Sequence, residues 1–180
     1  SPHFLLNTLN NIYALTTFDT EKAQHAILEL GKLLRYLLYE NQEERVPLKK
    51  EAEFLQNYIE LMRLRIGKNV DLQVDLNVPQ HREVSIAPLL FISLVENAFK
   101  HGISYNQESH INISLYVDGN EFTCIVANSR HYSHSSEHSG IGLSNITRRL
   151  DLLFNNRYML DIDDSDSKQY VVKLVIPINP

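Results

Sequence analysis

Residues 94–102 read LVENAFKHG. On a helix, Glu96 and Lys100 stand four apart, as do Asn97 and His101, so a carboxylate, an amide, an ammonium and an imidazole share nearly one side. Ile92, Val95 and Phe99 form the opposite stripe, which can face a sheet. A solvated face with an intrahelical Glu–Lys pair is the ordinary meaning of such spacing. Here the preceding PLLFISLV is apolar, and a buried helix with one polar end more often borders a site. Asn and Glu oxygens suit Mg²⁺, which keeps waters and shares phosphate oxygens. An ammonium suits a phosphate.

A second constellation is GIGLSNITRRL at residues 140–150. Gly140 and Gly142 let a backbone come close to a ligand. They lead into a helix whose free N–H groups and positive dipole end favour anions. Alone, the pair is an ordinary flexible joint; beside a metal- and phosphate-friendly helix it gains weight. The third candidate is His3, in PHFLLNTLNNIYAL. Imidazole is neutral near pH 7 and offers a nucleophilic ring nitrogen.

Hydrophobic periodicity outlines the elements that position these residues. Leu5, Leu9 and Ile12 form one helical stripe, and Ala23, Ile27, Leu30, Leu34 and Leu37 a second at bundle spacing. Between them TTFDTEK suits a turn and an N-cap. Residues 1–41 thus read as a helical hairpin, too short to bury its seam alone, and pairing into a four-helix bundle would solve that. NQEER reads as a linker. Leu48, Ala52, Leu55, Ile59, Met62 and Ile66 mark another helix, stopped by Gly67.

VDLQVDLN then alternates as a strand, and residues 86–102 read as a helix with Pro88 in its first turn and Gly102 as its stop. Residues 111–129 form a hairpin turning at Asp118-Gly119-Asn120. After an aperiodic Ser/His-rich loop come the glycine-led helix and two strands, RYMLDID and YVVKLVIP. The expected fold is α+β: a helical hairpin at residues 1–43, then a two-layer sandwich at 44–180 with helices on one face of a sheet.

Composition narrows the classes. Net charge is −5, with no basic run interleaved with aromatics, so direct nucleic-acid binding is not expected. The single cysteine, Cys124, excludes an intrachain disulfide framework. The longest apolar run is too short to span a bilayer.

ENAFKHG resembles the N box, and GIGL the last glycine box, of the GHKL (Bergerat-fold) ATP-binding superfamily. PHFLLNTLNNIYAL resembles the phosphoacceptor motif of the LytS/YehU-like sensor histidine kinases, usually N-P-H-F-L-F-N. LLRYLL, VPLKKEAEFLQNYIELMRLR and GIGLSNITRRLDLLF fit the same family, so the resemblance covers essentially the whole chain. It implies autophosphorylation of His3 by ATP, then transfer to an aspartate of a response regulator, often of LytTR type. Asn97 would ligate Mg²⁺, and Glu96 would orient or polarise groups near it. Lys100 and His101 would approach the phosphates. Gly102, Asn128, Gly140, Gly142 and Leu143 would complete the ATP site, with the helix from Leu143 aimed at the phosphates. Asn7, four residues past His3, would place a water for phosphoryl removal, or simply end a polar helix turn.

The family further implies a homodimer, and a cytoplasmic segment of a bacterial membrane sensor whose sensing region lies upstream of Ser1. Two features depart from the pattern. In VANSR, Asn128 stands where the superfamily's adenine-reading Asp would be, and Arg130 where a Gly would be. Phe4 follows His3 where many kinases carry an acid. The competing readings are a dimerising signalling module without kinase activity and a GHKL ATPase without histidine transfer. His131, His134 and His138 have a metal-like spacing, but they fall where a mobile ATP lid belongs, with no Cys in support.

Overall fold

The computed structural model describes residues 2–131 and 139–178, with side chains from Phe4 to His131 and from Leu143 to Ile178. Two helices open the chain, α1 (Pro2–Phe18) and α2 (Thr20–Arg35). Asp19 breaks them as its type demands: its carboxylate accepts from the Lys22 N–H at 3.0 Å and caps α2. A π-helical segment, Tyr36–Glu40, continues α2.

The hairpin buries Ile12, Ala23 and Leu30 of the expected stripes, with Leu5, Leu34 and Leu37 packed at the edge of the core, but departs from them at two positions. On α1, Thr8 and Ile12 are buried while Leu9 is half exposed. On α2 the buried residues are Ala23, Ala26, Leu30, Leu33 and, just beyond, Tyr36, and Ile27 is exposed. The cover is helix α3 (Leu48–Arg63) of the same chain, packed along α2 with Phe54, Leu55 and Tyr58 buried. The seam is therefore closed within one chain. Leu6, Leu9, Tyr13, Ile27 and Leu28 remain as an outward apolar surface.

Gly31 lies on the exposed side of α2, and a Cβ added there would meet nothing within 4 Å. Gly31→Ala should therefore stabilise the chain by about 1 kcal/mol through helix propensity alone. That corresponds to a rise of roughly 2–4 °C in a thermal unfolding midpoint.

Strands β1 (Val46–Pro47) and β3 (Ser85–Ile86) form a small antiparallel ribbon. Arg45 staples it: the guanidinium donates to Ser85 O at 2.7 Å and to Ile178 O at 2.8 Å, so the end of NQEER is anchored to the sheet unit. The main sheet has the order β2-β4-β5-β7-β6, with β2 (Val70–Leu76), β4 (Ser109–Asp118), β5 (Glu121–Ser129), β6 (Met159–Asp163) and β7 (Gln169–Pro177). Only the β2–β4 pairing is parallel.

Register puts Val74, Ile113, Val126 and Val172 in one row across the sheet. Leu76, Leu115, Cys124 and Leu174 form the next row. Over these rows lie α4 (Ile92–His101), with Leu94, Val95, Ala98 and Phe99 buried, and α5 (Ser139–Phe154), with Ile146, Leu150 and Phe154 buried. The architecture is α+β, as expected. Burial pushes the Cys124 thiol up to about 12, so it acts as a small apolar residue of the central strand.

Several boundaries differ. Helix α1 runs on through Thr16, Thr17 and Phe18, and α3 ends at Arg63, before Ile66 and Gly67. Pro88 lies before α4, not in its first turn, because Leu89 takes a left-handed φ of 59° that no helix accommodates. Helix α5 begins at Ser139, so Gly140 and Gly142 lie inside its first turn instead of preceding a helix that starts at Leu143. The hairpin at 118–120 forms as expected, and Gly119 supplies its positive φ of 58°.

Candidate functional site

Helix α4 carries the polar group. Glu96 and Asn97 are half-buried, while Lys100 and His101 are exposed one turn later. Burial holds the Glu96 carboxyl above its ordinary value. Desolvation, then the neighbouring Lys100 cation, hold His101 below its ordinary value, so its imidazole is neutral at pH 7. Among the described residues there is no group of three or more His, Cys, Asp or Glu that could hold a metal alone. Glu96 and Asn97 on α4 offer oxygen donors, the hard type that can share a cation with phosphate oxygens.

Gly102 ends α4 and joins it to the end of β5. Its N–H donates to Ala98 O at 2.8 Å, and its carbonyl accepts from the Ser129 hydroxyl at 2.7 Å. A Cβ on Gly102 would fall 2.6 Å from Ala98 O and 2.7 Å from the Asn128 Cβ, so the glycine is required by close approach. Gly102→Ala should destabilise the chain by about 1–3 kcal/mol. It should also push Asn128 aside; thermal unfolding and amide hydrogen exchange at the end of β5 would read the two effects.

Asn128 is buried, and its Nδ2 donates to Ser129 O at 2.9 Å. That leaves Oδ1 as the acceptor for a ligand amine, the role an Asp would fill with a full charge. So the structure brings Gly102 against Asn128 where α4 and β5 end, with His101 next in the chain and Asn97 more than one turn earlier on α4. Leu143 is half-buried on α5, and α5 packs against α4. Contacts of Gly140 and Gly142 lie outside the described residues.

His131 is not available for a metal. One ring nitrogen lies 2.9 Å from the Ser109 hydroxyl and the other 3.0 Å from Gln107 Oε1. His134 and His138, with residues 132–138 of the lid loop expected at 129–139, lie outside the described residues.

His3 lies in the first turn of α1, and its side chain is likewise outside the described residues. The next residue, Phe4, packs against Tyr58 of α3, the rings tilted by 34° with centroids 4.9 Å apart. Tyr58 in turn meets Phe99 of α4 edge-on at 6.1 Å. Burial, then the Glu96 charge, raise the Tyr58 hydroxyl above its ordinary value. The aromatic chain thus sets the first turn of α1 beside the apolar stripe of α4 at Phe99, with Glu96 within electrostatic reach of Tyr58. Sequence reasoning missed Tyr58: its ring sits beside the apolar stripe of α3, and spacing alone does not distinguish it from core. Asn7 is exposed on α1.

Comparison with known proteins places these features in context. Residues 1–70 match the family model described as histidine kinase. Over 98% of its length the chain is 29% identical to "Sensor protein LytS" of Oceanobacillus iheyensis. It is 27% identical over 93% of its length to "Sensor histidine kinase/phosphatase LytS" of Staphylococcus aureus. It spans about a third of the length of these relatives, 33% and 31%.

Among solved structures, Acinetobacter baumannii histidine kinase AdeS aligns with a TM-score of 0.54 at 15% identity, covering 89% of this chain and 81% of that one. The histidine kinase domain of an Erythrobacter litoralis blue-light-activated kinase aligns with a TM-score of 0.56 at 14% identity, covering 87% and 75%. The catalytic domain of histidine kinase ThkA aligns with a TM-score of 0.53 at 16% identity, covering 77% and 100%. The shared property is the fold. No helix among the described residues is long and apolar enough to cross a membrane.

Proposed function

We propose that this chain, of the histidine kinase family and related to LytS over nearly all its length, is the phosphoacceptor and ATP-binding segment of a two-component sensor kinase. The observation that carries the reading is the Phe4–Tyr58–Phe99 contact chain, which seats the turn bearing His3 beside the helix bearing Glu96 and Asn97.

The reaction is phosphoryl transfer from ATP to His3. The unprotonated ring nitrogen attacks the γ-phosphorus, and an N–P bond forms. The bond to the oxygen bridging the β- and γ-phosphates breaks, and ADP leaves with its electron pair. Such transfer asks a protein mainly for positioning and charge neutralisation. Asn97 would hold Mg²⁺, which would supply neutralisation of the charge developing on the phosphate oxygens. Lys100 and His101 approach the phosphates, and Gly140 and Gly142 bring the first turn of α5 to them. Asn128 accepts from the adenine amine through Oδ1, and Gly102 and Leu143 complete the wall. Glu96, desolvated on α4, takes the proton that the ring gives up.

The 1–43 hairpin and the 44–180 unit act as acceptor and catalytic domains. The exposed Leu6, Leu9, Tyr13, Ile27 and Leu28 form the surface for a second copy, giving a homodimer. Phospho-His3 then passes its phosphoryl group to an aspartate of a response regulator, of LytTR type. Asn7, exposed four residues on, positions a water for the reverse hydrolysis. The chain works on the cytoplasmic side of a bacterial membrane, tethered through a sensor region outside this sequence.

The test uses the full-length protein with γ-labelled ATP and Mg²⁺, beside His3→Gln. Label on the parent and none on His3→Gln supports the kinase. Nucleotide binding with no label on either supports an ATPase or scaffold. No binding sinks every nucleotide-dependent reading. Tyr58→Ala should cut labelling by about tenfold or more by releasing Phe4. Its nucleotide affinity should hold within about threefold, since Tyr58 meets α4 at Phe99, on the stripe opposite the polar group.

A further inference from the structure

Glu51 of α3 has no exposed surface. Its Oε1 accepts twice, from the Tyr36 hydroxyl and from the Leu89 N–H at 2.9 Å. Its Oε2 has no hydrogen-bond partner. Tyr36 opens the π-helical segment that ends α2, a backbone form found disproportionately at functional sites. Leu89 has the left-handed φ noted above, a strained state for a side chain of its kind.

From the opposite side, Arg149 of α5 donates to Leu89 O at 3.0 Å and to Pro88 O. The turn that these groups grip leads directly into α4, whose first N–H donors, Leu94 and Val95, bond to Phe91 O. So α3 holds the turn by its N–H and α5 holds it by its carbonyls. The helix of Glu96 and Asn97 begins where they meet. The same α5 carries Gly140 and Gly142 in its first turn. A plain packing role would be met as well by apolar side chains, because a buried carboxylate with an unpaired oxygen is destabilising.

We propose that Tyr36, Glu51 and Arg149 form a positioning network that couples the end of α2 to both helices of the nucleotide site through the strained turn at Leu89. A shift at the π-helical segment then alters the setting of α4 and α5. The network is distinct from the Phe4–Tyr58–Phe99 contact, which seats the acceptor. Its activity readout rests on the phosphoryl-transfer reading; its structural readout does not.

Two variants test it in the full-length protein. Tyr36→Phe removes only the hydroxyl, and Arg149→Lys keeps the charge but loses the two-carbonyl grip. Amide hydrogen exchange, MgADP affinity, label incorporation and thermal unfolding are followed together. Tyr36→Phe should raise exchange about tenfold at Leu89 and in the first turns of α4 and α5, with most of β4 and β5 unchanged. It should slow His3 labelling about tenfold while MgADP affinity moves by less than about threefold. The double variant should be no slower than the slower single one, because the three groups act through one turn.

Exchange in α4 and α5 left at the parental level would overturn the proposal. So would a uniform rise in exchange that follows a fall in the unfolding midpoint, or strictly additive effects of the two variants. If the parent takes up no label, the phosphoacceptor reading fails, and the exchange pattern alone decides the network.

Discussion

Asn97→Ala should reduce the kcat/KM of the full-length protein for self-labelling by on the order of a hundredfold or more. The amide is half-buried on α4 and no described carboxylate cluster stands ready to hold the cation in its place. Alanine is the better helix former, so the unfolding midpoint should stay put or rise slightly. The loss should appear as weakened Mg²⁺-dependent nucleotide binding together with a slower step, measured by initial rates across Mg²⁺ concentrations. A variant that labels at parental rate would remove Asn97 from the site.

The largest effect on stability is expected at Glu51. Glu51→Ala leaves the Tyr36 hydroxyl and the Leu89 N–H without their shared acceptor in a buried place. Each orphaned group costs about 1–3 kcal/mol, so a loss of about 2–5 kcal/mol is expected. That corresponds to a fall of roughly 5–15 °C in the unfolding midpoint.

Glu51→Gln separates shape from charge. Burial raises the Glu51 carboxyl in the folded chain; the Tyr36 and Leu89 hydrogen bonds and the Arg149 charge pull it back only in part. Glu40 acts on the Tyr36 side of the pair. With the folded pKa above the unfolded one, the folded chain binds the proton more tightly between them. The stabilisation from this group is thus complete below the unfolded pKa and is lost as pH rises through the folded one. Parent minus Glu51→Gln stability should therefore increase as pH is lowered from neutral towards about 4.3. A difference that is flat in pH would mean that Glu51 is ionised throughout.

The parts of this chain that the sequence describes well are those ruled by local chemistry. Asp19 interrupts the hairpin because its carboxylate competes for backbone N–H groups. Gly119 turns the β4–β5 hairpin because it accepts a positive φ. The alternation in β2 survives because one of its faces lies against the core, in register with Ile111, Ile113 and Leu115.

What periodicity does not decide is which of two apolar stripes faces inward. On α1 the buried stripe runs through Thr8, not Leu9, and on α2 it leaves Ile27 outside. The deciding contact is α3, distant in sequence and closing the seam from within the chain. Pro88 looked like a first-turn proline because PLLFISLV is apolar throughout, while the actual break comes from side chains of α3 and α5 converging on Leu89.

The candidate site shows the same division. Glu96, Asn97, Lys100 and His101 announce themselves by type and spacing on one helix. Gly102 and Asn128 meet only because the Ser129 hydroxyl ties β5 to the end of α4. Tyr58, Glu51 and Arg149 carry no pattern of their own: they sit in QNYIE, KKEAE and TRRLD among other polar residues, and their meaning lies in partners elsewhere in the chain.

The most direct measurement is to locate the phosphoryl group. The full-length protein is incubated with ATP and Mg²⁺, digested at alkaline pH, where phosphohistidine survives, and analysed by fragmentation mass spectrometry. The expected result is one acid-labile phosphoryl group on the imidazole of His3. ATP binding with phosphate on another residue, or on none, would contradict the proposed function at its centre.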